Sequence, residues 1–200
     1  MTVFQIFLPA FMLVYFFQVF VIRSYVQWKK TGENPFVFSR SENAHDYIGF
    51  LFKIMTALRL TVIVLFSFFQ GFYTKYLGEL TYLNLIEFQW IGSGLLVFSL
   101  IWTIIAQYQM SNSWRIGIDY EEKTTLVDEG IFKLSRNPVF LGVLLIYLGI
   151  FLIAPNVLSF TLFALCYFIL QIQSRLEEEY LEDIHGKTYL DYKKKVRRWI

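Results

Sequence analysis

"VFLGVLLIYLGIFLIAPNVLSFTLFALCYFILQIQ", residues 139–173, contains no charged side chain, and one Pro155-Asn156 pair interrupts it. Apolar runs over 139–154 and 157–173 flank that pair. Proline cannot continue a helix and asparagine favours the start of one. The stretch therefore reads as two antiparallel helices joined by a tight turn. Each run approaches the roughly 20 residues needed to cross a bilayer. Both are short, so slight tilt or local thinning is expected around them.

Three more apolar segments precede this hairpin, at about 3–22, 48–70 and 84–106. Composition agrees with a membrane setting: 56% of the 200 residues are hydrophobic, with 22 Phe, 13 Tyr and 5 Trp. Only 17% are charged, below the share usual in soluble domains. The expected fold class is an all-α integral membrane protein with about five transmembrane helices and a cytoplasmic C-terminal amphipathic helix. One membrane domain, 1–200, is expected. Residues 1–110 supply three spans, and 111–200 supply a loop, the hairpin and the tail. The first span begins almost at Met1 with no basic region before it, so it reads as a retained helix.

Basic residues set the orientation. The first loop carries Arg23, Lys29, Lys30 and Arg40, and the third carries Arg115, Lys123, Lys133 and Arg136. The tail adds Arg175, Lys187, Lys193, Lys194, Lys195, Arg197 and Arg198, whereas the opposite side holds Lys75. This split places the N-terminus outside and the C-terminus in the cytoplasm. Lys53 and Arg59 fall inside the second span. Both snorkel to the inner interface, or they serve a buried polar role in a cavity.

Several chemistries lack their residues. Cys166 is alone, so neither a disulfide framework nor a thiolate metal site is expected. His45 and His185 are far apart, without zinc-ligand spacing.

Polar groups gather in three pieces on the expected cytoplasmic side. The loop 111–138 is too long for a simple connection; Trp114 and Tyr120 suit the headgroup level, and Gly130 suits a tight turn. "SRNPVFLG", 135–142, has Asn137 as a candidate N-cap and Pro138 at the first helical position. Such a helix start, with Arg136 beside it, also suits an anionic ligand. "SRLEEEYLEDIHG", 174–186, sets Glu177, Glu178 and Glu179 against an apolar face of Leu176, Tyr180, Leu181 and Ile184. It reads as an interfacial amphipathic helix with a solvated acidic face, or as a site for a cationic ligand. An anchor on an anionic leaflet should be basic. The following segment fits that description, with Tyr189, Tyr192, Val196 and Trp199 in an apolar stripe among lysines and arginines.

"LVDEGIFKLSRNPVFLG" followed by "RLEEEYLEDIHGKTYLDYKKKVRRWI" resembles the isoprenylcysteine carboxyl methyltransferase family, which is related to the membrane phospholipid methyltransferases. The resemblance covers about residues 111–200. It implies a membrane methyltransferase that uses S-adenosylmethionine without a Rossmann domain, acting on a lipophilic acceptor from the bilayer. It also implies cofactor contacts at Thr124, Thr125, Leu126, Val127 and Phe132, at Asn137, Pro138, Val139 and Phe140, and at Glu177 with Glu178 as its companion. Arg136, Gln173 and Arg175 are the substrate candidates. Gln173 stands where the prenylcysteine enzymes carry a substrate-binding arginine, and Arg175 lies roughly 200° around the helix from it. Asn137 replaces the family's histidine, Phe132 and Phe140 replace tyrosines, and His185 replaces the aromatic before the last Gly.

Other readings remain open. They are a phospholipid N-methyltransferase, a non-catalytic membrane protein that retains the fold, and an NADPH-dependent sterol reductase, whose anionic cofactor the glutamates would repel. Nucleic acid is not expected, because a leaflet explains the basic tail directly.

Overall fold

The computed structural model describes residues 1–32, 44–110 and 125–200. Among them the chain is helical, with one isolated bridge between Glu79 and Asn156. The elements are α1 (Val3–Phe16), a π-helical turn (Phe17–Ile22), α2 (Arg23–Thr31), α3 (Ala44–Phe68), α4 (Gln70–Tyr76), α5 (Ile86–Met110), α6 (Pro138–Ile153), α7 (Val157–His185) and α8 (Lys187–Lys195). The first three form one apolar span, Val3–Lys30, and Tyr47–Phe68, Ile86–Met110 and Val157–His185 are also long and apolar enough to cross a membrane. α6 is shorter, and its 16 residues rise only about 24 Å.

The hairpin forms as expected, and polar groups close its turn. Asn156 accepts from the Ser159 amide at 2.8 Å while Ser159 Oγ accepts from the Asn156 amide at 3.2 Å. This reciprocal cap satisfies two backbone groups at once. The Tyr73 hydroxyl donates to Pro155 O at 3.2 Å, and the Leu80 amide donates to the same carbonyl at 3.0 Å. Asn156 is completely buried beneath this cover.

Small residues let α5 and α6 touch. A Cβ on Gly92 would lie 2.7 Å from Gly149 O, closer than real Cβ atoms approach. Ser99 Oγ donates to Gly142 O at 2.8 Å, and Trp102 Nε1 donates to Pro138 O at 2.8 Å. Apolar area is cheap in lipid, so close backbone approach and inter-helix hydrogen bonds select this pair. The Trp102 bond fixes the start of α6, where the polar residues gather.

Two expectations about the tail change. The acidic segment after Arg175 is not a separate interfacial helix, because α7 continues unbroken to His185. Its 29 residues rise about 43 Å, more than a hydrocarbon core of about 30 Å, so its charged last turns project beyond the apolar layer. The stripe on α8 is not free for a membrane either. Tyr189, Tyr192 and Val196 are buried, with Leu126 and Leu181 packed against them. The basic side chains made this segment resemble an anchor, but its apolar side is occupied by protein.

Candidate functional site

The site forms where the start of α6 meets the end of α7 and the tail. Gly130, at φ +59°, opens a 3-10 turn over Gly130–Lys133. The positive φ favours glycine there, and a Cβ would displace the Gln109 amide that holds the turn. Gln109 Oε1 accepts from the Ile131 amide at 2.8 Å, tying the turn to α5. Phe132 is buried, and the Tyr192 hydroxyl donates to its carbonyl at 2.7 Å.

Asn137 precedes α6 but its side chain does not cap the helix. It reaches the tail instead, donating from Nδ2 to Arg198 O at 3.4 Å. Ser135 Oγ also donates to Arg198 O, at 3.1 Å, and the Arg136 amide donates to Arg197 O at 3.0 Å. Pro138 holds the first helical position as expected and has no N–H to satisfy. Among the described residues the amides of Val139 and Phe140 make no hydrogen bond. The free donor end of the helix is therefore real, although Asn137 does not close it.

The two central glutamates part company. Glu178 is buried, and Arg198 grips it through Nε at 2.8 Å and Nη2 at 2.9 Å. Arg136 adds Nη2 at 2.9 Å and Nε at 3.3 Å. Burial alone pushes this carboxyl up, but the hydrogen bonds and charges of the two arginines outweigh it and hold the group below the usual carboxylate range. Arg136 also donates to the carbonyls of Lys193 and Val196. Both oxygens of Glu178 are thus held by arginines, and the trio of Arg136, Arg198 and Glu178 keeps a net charge of +1.

Glu177 is in the opposite state. It is half-buried and forms no hydrogen bond or ion pair among the described residues. Burial first, and the Glu178 charge second, push its carboxyl up to about 7. A carboxylate held in this way gains from a cation more than an exposed one does. Charged groups with shifted protonation at a protein surface mark candidate binding sites.

The other expected residues divide in the same manner. Leu126, Val127, Val139 and Phe140 are half-buried and Thr125 is exposed, while Thr124 lies outside the described residues with Trp114 and Tyr120. Gln173 is buried, and its Oε1 has no donor. Arg175 is exposed and turns back along its own helix, with Nη1 donating to Gln171 Oε1 at 3.0 Å. Sequence reasoning missed the tail's contribution. The sequence pattern assigns Arg198 and Lys193 to a leaflet, and only the three-dimensional path of the chain brings them to Glu178.

A family model described as phospholipid methyltransferase matches residues 88–188, about half of the chain. No curated protein and no solved structure shows significant similarity to the chain.

Proposed function

The chain belongs to the phospholipid methyltransferase family, and on that premise we propose that it transfers a methyl group from S-adenosylmethionine to an amine of a membrane phospholipid. One observation carries the reading: Glu177 is a half-buried carboxylate without a cation, beside a Glu178 whose charge two arginines neutralise. Only the first is suited to an ammonium ligand.

S-adenosylmethionine supplies an electrophilic methyl: nitrogen forms the new C–N bond as the C–S bond breaks and its electron pair stays on sulfur. Glu177 would take the donor's ammonium, and the free amides of Val139 and Phe140 would take its carboxylate. Glu178 carries a buried carboxylate next to Arg136 and Arg198, which fixes the α7 turn from which Glu177 projects. Leu126, Val127 and Phe132 offer apolar cover that keeps water from the reacting centre. Thr124 and Thr125 belong to the same loop and are the further contacts that the family resemblance implies.

Gln173 lies one helical turn before Glu177 on the same face. Its buried Oε1 lacks a donor, and an acceptor amine would supply one. The amine must arrive unprotonated, since only then does nitrogen have a lone pair. Gln173 orients that amine rather than deprotonating it. A prenylcysteine carboxylate would need a cation here, and Arg175 is bonded elsewhere. The amine is the better acceptor on these grounds. The basic loops and tail favour placing this face in the cytoplasm.

The experiment uses the full chain in nanodiscs containing phosphatidylethanolamine and a prenylcysteine, supplied with a methyl-labelled donor. Label should enter the headgroup amine, and calorimetric donor binding should be lost in Glu177→Gln while folding is retained. Label in a base-labile prenylcysteine ester would reject the amine acceptor. Unchanged donor binding in Glu177→Gln would reject the site. A folded protein that neither binds nor transfers returns the chain to the non-catalytic reading.

A further inference from the structure

Arg59 has no part in the site above, and its position is costly. It stands near the middle of the span Tyr47–Phe68. Met55, Val62 and Ile63, one turn away on its own face, are buried, whereas Leu58 and Leu60 beside it are exposed. The guanidinium therefore belongs to the inward side of α3, with lipid close on both flanks. A charge at that depth needs compensation.

The described residues provide little. Arg59 Nε is buried with no hydrogen-bond partner, and no carboxylate reaches the group. Its contact is the Tyr147 ring, with Cζ 5.0 Å from the centroid. A cation–π contact offsets only part of the cost of a buried charge. The Tyr147 hydroxyl is buried without a well-directed hydrogen bond, although Thr56 lies beside it. Tyr15 and Cys166 are also within electrostatic reach of the guanidinium. Around Arg59 the helices bring together an N–H, hydroxyls and a thiol, all able to donate, and no anion. Such a set suits an oxyanion with several lone pairs.

α7 connects this cluster with the site. Cys166, Leu170, Gln173 and Glu177 recur at helical spacing on one face, and the first three are buried. Cys166 marks the level of Arg59, and Gln173 lies about 10 Å further along the axis. In an ethanolamine headgroup four bonds separate phosphorus from nitrogen, about 5 Å when extended. The long side chains of Arg59 and Gln173 can span the remainder.

We propose that Arg59, with the Tyr147 hydroxyl, is a subsite for the phosphate of the acceptor phospholipid, one headgroup length from the point of methyl transfer. The assignment rests on the amine-lipid reading above. The phosphate comes from a lipid rather than from solution, because the cluster lies at bilayer depth and is flanked by exposed leucines.

Native mass spectrometry of the detergent-purified full chain reads this without turnover. The probes are dioleoylphosphatidic acid and dioleoylglycerol, which differ only in the phosphate. Wild type should retain the phospholipid at least tenfold more tightly. Arg59→Gln should abolish that preference, Arg59→Lys should keep part of it, and Glu177→Gln should leave it intact. Millimolar inorganic phosphate should not displace the lipid. No preference in wild type, an undiminished preference in Arg59→Gln, or displacement by inorganic phosphate overturns the subsite. If Arg59→Gln does not fold, Arg59→Lys decides: it should keep only part of the preference, and a preference equal to that of wild type overturns the subsite. Failure of the methyl-transfer reading looks different: the preference persists while no label enters the headgroup.

Discussion

Lowering the pH from 7.5 to 5 should weaken donor binding through Glu177. Its carboxyl titrates at about 7 because it is buried and sits beside Glu178. An ammonium bound there would return it to or below the ordinary 4.5. At pH 5 a group of this kind is ionised in about one molecule in a hundred. Affinity for the cation should therefore fall roughly 50–100-fold across the range, or about 2.5 kcal/mol. At pH 6 each binding event should release about 0.9 proton. Calorimetry in two buffers of unlike ionisation heat reads affinity and proton release together. The range stops at 7.5 because α-amino groups begin to titrate near pH 8. An affinity constant within twofold, with no dependence on buffer, would refute the reasoning. So would an unchanged pH profile in Glu177→Gln.

Three structural predictions accompany it. Glu178→Gln leaves Arg136 and Arg198 without their carboxylate, and breaking a buried pair of this kind costs about 3–5 kcal/mol; thermal unfolding in detergent should show a clear fall in Tm. Because the Glu178 carboxyl is held below its unfolded value, the wild type has this stabilisation in full above about pH 4.5 and loses it as pH falls through the folded value; Glu177, raised instead, has the opposite slope and disfavours folding as pH rises through about 7. Gly92→Ala should cost about 1–3 kcal/mol by forcing α5 from α6, whereas Gly94→Ala, where a Cβ meets open space inside α5, should hold or slightly raise Tm. Tyr192→Phe removes the 2.7 Å bond to Phe132 O, so about 1 kcal/mol of tail attachment should go and limited proteolysis after α7 should speed up.

The hairpin and the spans were legible because lipid imposes a one-dimensional rule. A helix must be apolar over a fixed length, and a Pro-Asn pair between two such runs leaves one arrangement. The glutamates stood out for a related reason: carboxylates at the end of a span gain nothing from an anionic leaflet. Length alone did not reveal that α7 runs on to His185. Polarity marks where hydrocarbon ends, not where a helix ends.

By itself the sequence determined the class of environment, the helix count to within a short fifth member, and the face on which polar chemistry gathers. Tertiary structure decided which charges are available. Glu177 and Glu178 are adjacent in the chain but about 100° apart on the helix, so one meets two arginines and the other meets none. Arg198 reaches the same carboxylate from the far end of the tail, and Arg59 faces inward through the phase of α3. Hydropathy is a sum along the chain and survives any arrangement of its helices. Charge pairing depends on angles and on distances of a few ångströms between distant segments, which exist only once the chain has folded.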